Sequence, residues 1–139
     1  PIDERVQMPV PPRYTLFHNL ELRLDPACAG WMTGGELTDI SLNKGYFRFR
    51  DGRPVDLFAL FLIIDAMPPA VMASQGVTAW IPTIELSVNI RNLPKTDRLK
   101  CSLRTRFITC GILEADGEVW DEKGNLAAIS RQIAQFKKI

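Results

Sequence analysis

An aspartate stands at the end of the longest apolar run in the sequence. The stretch LFALFLIIDAMP holds eight consecutive apolar residues, from Leu57 to Ile64, and Asp65 follows directly. An ionised carboxylate is costly to bury without hydrogen-bonding partners, so its position needs an explanation. Asp65 either ends a helix and reaches solvent, or is a buried acid paired with an arginine, or is a catalytic base strengthened by apolar surroundings. The residues alone leave these three interpretations open.

Three polar residues in strand-like segments are further candidates for chemistry. Gln132 shares its face of 126–136 with small or apolar residues, so its amide requires a hydrogen-bonding partner. Thr83 opens the alternating segment 83–91, although threonine is also a common strand residue. By alternation Glu85 shares the face of Thr83, which makes it either a second acid near a site or a solvated strand position.

Most familiar catalytic signatures are missing from the sequence. His18 is the only histidine and no GxSxG motif accompanies it, so a Ser-His-Asp mechanism is not expected. The sequence has no His/Cys cluster for zinc and no glycine-rich phosphate loop, so we predict no metal and no cofactor. The cysteines lack a CxxC spacing and indicate reduced thiols in a cytoplasmic protein; they are Cys28, Cys101 and Cys110.

Length and composition are those of one globular domain. Four prolines in residues 1–15 of the 139 indicate an extended linker or tail, which leaves 16–139 as the domain. A net charge of +1 argues against a general attraction for nucleic acid or for an anionic membrane. The longest apolar run is also far shorter than the roughly 20 residues that a membrane-spanning helix needs. We therefore expect neither nucleic acid nor a membrane as a partner.

The apolar run is predicted to form the one long helix of the chain. The helix should cover 54–67, because Pro54 and Asp56 suit its first turn and Pro68 opposes its continuation. Since it has no polar face between 57 and 64, a sheet should wrap it on most sides.

Alternating apolar and polar residues predict strands on both sides of this helix. Strands around a single helix imply an α+β fold with an antiparallel sheet on the helix. The predicted strands cover 16–24, 46–50, 83–91, 98–107, 112–120 and 126–136, with turns at 51–52 and 121–125.

The sequence resembles the C-terminal half of the type II acyl-CoA thioesterases, which are double hot-dog enzymes. The resemblance covers roughly residues 40–136 and rests on three segments in order. They are RDGRPVDLFALFLIIDAMPPAV, WIPTIELSVNIR and GEVWDEKGNLAAISRQIA. It implies a hot-dog fold, in which a curved antiparallel sheet wraps one long helix. It also implies hydrolysis of fatty acyl-CoA to a free fatty acid and coenzyme A, a reaction of fatty acid metabolism.

The resemblance further implies a catalytic set that holds the water attacking the thioester. Asp65 would accept a proton from this water, while Thr83 and Gln132 would orient it. The oxyanion would need N–H donors, which the sequence does not locate. Burial by neighbouring helix residues would make the aspartate a stronger base; these residues are Leu60, Phe61 and Ile64.

Four residues are candidates for substrate binding in such an enzyme. Arg104 and Arg106 belong to a basic stripe in 98–107 that could hold the phosphates of coenzyme A. A charged outer face of the sheet is the alternative explanation of this stripe. Trp80 is a candidate for lining an acyl pocket or an interface, or for ordinary core, and Glu85 is the second acid described above.

The resembling enzymes carry two hot-dog halves, whereas this sequence contains one. A lone half exposes a sheet edge, and proteins usually cover such edges. We therefore expect a second hot-dog half as a partner: an upstream part of the same chain, a separate chain, or a second copy in a homodimer. The proline-rich start resembles a junction between halves and favours the first arrangement.

Two other functions stay open for a chain of this kind. It could be a non-catalytic hot-dog module that binds acyl chains or serves as an assembly half, although the complete set of Asp65, Thr83 and Gln132 favours an enzyme. A hot-dog hydratase would pair an aspartate with a histidine near the helix, and His18 is poorly placed for that.

Overall fold

The structure, a computed structural model, describes residues 4–139. Short 3-10 turns at 15–18 and 26–28 accompany the helices and strands of this part of the chain. The helices are α1 (Gly30–Thr33), α2 (Leu57–Ala66) and α3 (Met72–Gln75). The strands are β1 (Val6–Gln7), β2 (Leu20–Leu24), β3 (Ser41–Phe49), β4 (Ala79–Trp80), β5 (Thr83–Ile90), β6 (Arg98–Thr105), β7 (Ile108–Thr109), β8 (Ile112–Trp120), β9 (Leu126–Gln135) and β10 (Lys137–Lys138).

One antiparallel sheet dominates the fold, with the strand order β1-β2-β3-β6-β8-β9-β5 and β7 paired to β8. Strands β4 and β10 form a separate two-stranded sheet. The long helix α2 packs on one side of the main sheet, against β5, β8 and β9. This is the predicted α+β arrangement, and the four long strands β5, β6, β8 and β9 start and end within two residues of the predicted positions, whereas the two-residue strands β4, β7 and β10 were not predicted.

The register of the sheet shows which side chains share a face. Cys101 lies opposite Val119, which lies opposite Ala128, and all three are buried. The preceding residue, Lys100, lies opposite Trp120 on the other side and is exposed. Because successive strand residues point to opposite sides, the sheet has an apolar inner face toward α2 and a polar outer face.

Helix α2 begins at Leu57 rather than at residue 54. Asp56 is its N-cap, and its Oδ1 accepts a hydrogen bond from the Ala59 N–H at 2.8 Å. Aspartate is a favoured N-cap because its carboxylate satisfies a free N–H of the first turn. The helix ends at Ala66, within one residue of the predicted end, and Met67 separates it from the pair of prolines that starts at Pro68.

Only one side of α2 is covered by the sheet. Ala59, Leu60, Ile63 and Ile64 are buried, whereas Phe58 is 78% exposed. The expectation that a sheet would wrap the helix on most sides is therefore wrong for this chain by itself. In this chain the sheet contacts α2 through β5, β8 and β9 and leaves the side of Phe58 open. The exposed apolar side chains of this helix are Leu57, Phe58 and Phe61, and we call them the uncovered face.

Two predictions for the N-terminal region need correction. Strand β2 starts at Leu20 instead of residue 16, because 15–18 form a 3-10 turn that a short alternation does not distinguish from a strand. Val6–Gln7 pairs with β2, so this part of the predicted linker or tail belongs to the sheet. Residues 1–3 of that linker lie outside the described residues, and the domain boundary itself stays a prediction.

Two further expectations concern the state of the cysteines and the presence of a membrane-spanning helix. The cysteines are free thiols, two buried and Cys110 exposed. Within residues 4–139, no helix combines the length and the apolar character needed to cross a membrane.

Candidate active site

A cavity of about 480 Å³ lies at the C-terminal end of α2. The end of the helix and the turn after it contribute Asp65 and the Pro68–Pro69 pair, while the sheet contributes Thr83 from β5 and Gln132 from β9. Three side chains far apart in sequence therefore line one space. They are the three that the sequence analysis assigned to catalysis.

Thr83 and Gln132 are joined directly. Gln132 Nε2 donates a hydrogen bond to Thr83 Oγ1. Both side chains lie on the inner face, since Gln132 is opposite Leu86 and Thr83 is opposite Ala134. The partner that the amide was predicted to need is thus the threonine hydroxyl. Because that hydroxyl oxygen accepts this bond, its own proton stays available for donation into the cavity.

Asp65 reaches solvent at the mouth of the cavity. It follows Phe58 and Phe61 at helical spacing on the side of α2 that the sheet leaves uncovered, and it is exposed. Burial beside Leu60 and Ile64, expected from the sequence, is therefore wrong for this chain by itself, because those two side chains point to the sheet. Within residues 4–139, no side chain is hydrogen-bonded to the Asp65 carboxylate, and no arginine pairs with it. The carboxylate is free to accept a proton or a hydrogen bond from water.

The turn that follows Asp65 is held by a residue that the sequence analysis missed. Asn43 of β3 is fully buried, and its Nδ2 donates to the carbonyl oxygens of Pro68 at 3.1 Å and Pro69 at 3.2 Å. Buried carbonyl groups need such donors. Asn43 therefore anchors the end of α2 to the sheet. An asparagine on the same alternation face as Phe47 is a signal that could have revealed it.

The other walls of the cavity are apolar. One side comes from residues 8–17, which we call the N-terminal arm; the sequence analysis assigned 8–15 to the linker or tail and 16–17 to a strand. A second side comes from α1, from α3 and from residues 77 and 81 on either side of β4. The apolar lining from these two sides is Met8, Pro11, Tyr14, Phe17, Trp31, Met72, Val77 and Ile81.

The two candidate arginines do not reach this cavity. Arg104 pairs in register with Asp116 on the outer face of the sheet. Arg106 Nη1 forms an ion pair with Asp116 Oδ2 at 3.2 Å. Asp116 also accepts two hydrogen bonds from Arg131, at 2.7 and 2.8 Å. This geometry matches the alternative explanation, a charged outer face, and it does not bring either arginine to Asp65.

The candidates Glu85 and Trp80 also lie away from the cavity. A β-bulge between Thr83 and Glu85 shifts the register, so Glu85 lies opposite Ile133 on the outer face. The expectation that Glu85 shares the face of Thr83 is wrong because the bulge inserts one residue into the alternation. Trp80 is 61% exposed in β4, with Lys137 Nζ 5.0 Å from its ring centre.

Comparison with known proteins identifies the family. The model of the acyl-CoA thioesterase C-terminal domain matches residues 2–136, so the chain belongs to this family. No curated protein sequence matches the chain.

Solved structures show the same fold. A candidate thioesterase II from Thermobifida fusca YX is 22% identical with a TM-score of 0.85, and covers 99% of this chain and 52% of its own. A conserved protein of unknown function with a hot-dog fold from Alicyclobacillus acidocaldarius is 21% identical with a TM-score of 0.83, covering 100% of this chain and 53% of its own. A hypothetical thioesterase with coenzyme A from Streptococcus pneumoniae TIGR4 is 12% identical with a TM-score of 0.62, covering 89% of this chain and 90% of its own. The predicted hot-dog fold is confirmed, and the chain spans about half the length of the first two structures.

Proposed function

We propose that this chain carries the catalytic residues of an acyl-CoA thioesterase, which hydrolyses fatty acyl-CoA to a free fatty acid and coenzyme A. The observation that carries the proposal is the single cavity shared by Asp65, Thr83 and Gln132. Family membership supports the same reaction class. The coenzyme A in the Streptococcus pneumoniae structure supports a coenzyme A thioester as the substrate.

The proposed reaction needs one water molecule and no covalent enzyme intermediate. Asp65 accepts a proton as the water oxygen forms a bond to the thioester carbonyl carbon. The carbon–sulfur bond then breaks, the coenzyme A sulfur leaves and takes up the proton that Asp65 accepted, and the Asp65 carboxylate is restored. The Thr83 hydroxyl accepts from Gln132 and therefore directs its own proton to the water or to the developing oxyanion.

A second hot-dog half is the proposed partner. The uncovered face of α2 includes Phe58, and Ile84 in the neighbouring edge strand β5 is 57% exposed. In the described part of the chain, β5 pairs only with β9, which leaves its other edge open. Apolar side chains beside an open edge favour a partner that covers both. The double length of the first two similar structures agrees with such a partner.

A non-catalytic hot-dog module is the second candidate. The exposure of Asp65 favours it, because active sites usually exclude bulk water from the reacting groups. A partner half that covers the end of α2 would remove this objection to the enzyme. Free thiols support a reducing compartment such as the cytoplasm for either function.

Release of free coenzyme A from short, medium and long acyl-CoAs is the test of this proposal. Asp65→Asn keeps the shape of the side chain and removes the base, so kcat should fall by about 10²- to 10⁴-fold. Asp97→Asn is the matched control, since Asp97 is exposed in the loop before β6, and its activity should stay within about twofold of wild type.

Three outcomes separate the candidates. Turnover that disappears only in Asp65→Asn supports the thioesterase. Full turnover in Asp65→Asn would show that the proposed mechanism is wrong. A wild-type chain that binds acyl-CoA without hydrolysing it, alone and with a second hot-dog half added, would favour the non-catalytic module.

A further inference from the structure

We propose that the N-terminal arm forms the acyl pocket of this site and restricts it to uncharged, apolar acyl groups of limited size. The inference deepens the proposed function and rests on it for the identity of the ligand as a coenzyme A thioester. It assigns a specificity-determining part to a segment that the sequence analysis divided between a linker, up to residue 15, and the start of a strand.

The arm is fixed to the sheet at its start. Strand β1 pairs with β2, and the Met8 N–H donates to the Leu22 carbonyl oxygen at 2.8 Å. The Gln7 side chain donates to the same oxygen at 3.2 Å, and Arg5 forms an ion pair with Asp25 at 3.1 Å. The arm then contains three prolines, whose rings fix φ. Anchored and stiff, the arm is suited to act as a wall that limits the size of the ligand.

The end of the arm presents two aromatic rings to the cavity. The backbone N–H of Phe17 donates to the Tyr14 carbonyl oxygen at 3.1 Å in the 3-10 turn, and the two rings meet edge to face at 6.4 Å. Phe17 is partly buried against the core, whereas Tyr14 is 62% exposed. Phe17 therefore forms the deeper wall, and Tyr14 forms the rim.

The charges around the cavity disfavour a free carboxylate at the far end of the acyl group. Among residues 4–139, no lysine, arginine or histidine lines the cavity, and Asp65 is its one charged group. A carboxylate at the far end of an acyl group would lose its water without gaining a cationic partner, and Asp65 would repel it. The site therefore favours acyl groups that end in a methyl or another apolar group.

The size of the cavity sets the limit on acyl length. A volume of about 480 Å³ lies within the range of pockets that enclose one small organic ligand. Phe17 stands on one side of this space, and Trp31 and Met72 line it from elsewhere in the chain. Removing the Phe17 ring enlarges the pocket on the side of the arm.

The test measures binding of S-alkyl thioethers of coenzyme A, which cannot be hydrolysed, by isothermal titration calorimetry. Wild-type affinity should rise with chain length to a limit and then fall. Phe17→Ala should move this limit to longer chains and improve the ratio of long-chain to medium-chain affinity by about tenfold or more. Leu16→Ala is the matched control, because Leu16 belongs to the same turn, is exposed and does not line the cavity.

A thioether with a terminal carboxylate tests the charge part of the inference. It should bind wild type at least about tenfold more weakly than the methyl-ended thioether of equal length. Equal affinities of these two ligands would overturn the proposed selectivity.

The dependence of binding affinity on chain length tests the proposed role of the arm. A Phe17→Ala profile identical to that of Leu16→Ala and wild type, or no binding of any thioether, would overturn the inference. Circular dichroism checks the fold of each variant, and Tyr14→Ala, at an exposed position, replaces Phe17→Ala if that variant does not fold. Because the ligands are not hydrolysed, arm-dependent binding in a chain without turnover would contradict the thioesterase and leave the pocket assignment intact.

Discussion

Polar side chains on the outer face of the sheet are paired with one another, whereas those on the inner face keep unused hydrogen-bonding capacity. On the outer face Asp116 is paired with Arg131 and Arg106. Glu21 is likewise paired with Arg23 at 2.6 Å and Arg48 at 2.5 Å. On the inner face the polar groups are few, and they keep hydrogen-bonding capacity beyond their bonds within the chain. Thr83 keeps its proton, and the Asn43 Oδ1 has no partner in the described residues.

This difference separates charges that satisfy one another from polar groups that are available for the proposed reaction. Burial alone would raise the pKa of Glu21, yet hydrogen bonds from Arg48 and Arg23 outweigh it and lower that pKa. Groups that satisfy one another in this way have little capacity for a substrate. Polar groups with spare donors or acceptors beside an apolar cavity are available to water and ligand. If the comparison is valid, single substitutions should have large effects on the inner face and small ones on the outer face.

The largest effect on stability should come from Asn43→Leu. The change leaves the Pro68 and Pro69 carbonyl oxygens without their donor, which should lower the free energy of unfolding by about 1–3 kcal/mol. Loosening of the turn after Asp65 should also reduce turnover. Urea unfolding measures the first effect, with Asn89→Leu, an exposed change in β5, as the near-neutral control. Equal stabilities of the two variants would show that Asn43 does not anchor the helix end.

Gln132→Ala should have an intermediate effect, which is a lower rate of hydrolysis. Thr83 would lose the donor that orients its hydroxyl, and a hydrogen bond of about 1.4 kcal/mol corresponds to a roughly tenfold lower kcat. Gln135→Ala in the same strand, on the opposite face, serves as the control. Equal activities of the two variants in the coenzyme A release assay would remove Gln132 from the proposed catalytic set.

The smallest effect should come from Asp116→Asn on the outer face. The hydrogen bond from Arg131 lowers the pKa of Asp116 below its ordinary value of 3.8, against an opposing contribution from burial. A carboxyl group whose pKa is lowered by folding stabilises the folded state at pH values above its ordinary pKa. This contribution is lost as the pH falls through the pKa that the group has in the folded state. The variant should therefore be less stable at pH 7 by under about 1 kcal/mol.

Unfolding curves at several pH values check this last prediction. The difference between wild type and Asp116→Asn should shrink as the pH falls below 3.8. Hydrolysis at pH 7 should not change, because Asp116 lies on the outer face, away from the cavity. A loss of activity comparable to that of Gln132→Ala would break the contrast between the two faces.

Sequence patterns predicted the four long strands of the second half well, and they predicted the start of the chain poorly. Long alternation, as in β8 and β9, identifies both a strand and its buried face, because each added residue strengthens the pattern. Four residues at 15–18 are too few for that, and there a 3-10 turn produces a similar pattern. The face of Glu85 was mispredicted because a bulge adds one residue to the strand, and strict alternation does not show it.

For the candidate site, too, some residues were recognised from the sequence and others were found only in the structure. The residue types of Asp65, Thr83 and Gln132 were recognised through resemblance, whereas the anchoring role of Asn43 and the wall formed by the N-terminal arm were not. Composition describes the arm as proline-rich, and proline stiffens a linker and a wall alike. Its contact with the cavity depends on the pairing of β1 with β2, which brings residues far apart in sequence together.

The sequence by itself determined local properties: the strand faces, the end of α2 at its prolines, and the chemical groups available for a reaction. These follow from the period of side-chain direction and from backbone sterics, which act over a few residues. Only the tertiary structure decided that Gln132 bonds to Thr83, that Arg104 and Arg106 lie away from the cavity, and that Asp65 stands exposed. Those outcomes depend on strand register and on which side of a helix a sheet covers, and both are set by contacts between distant parts of the chain.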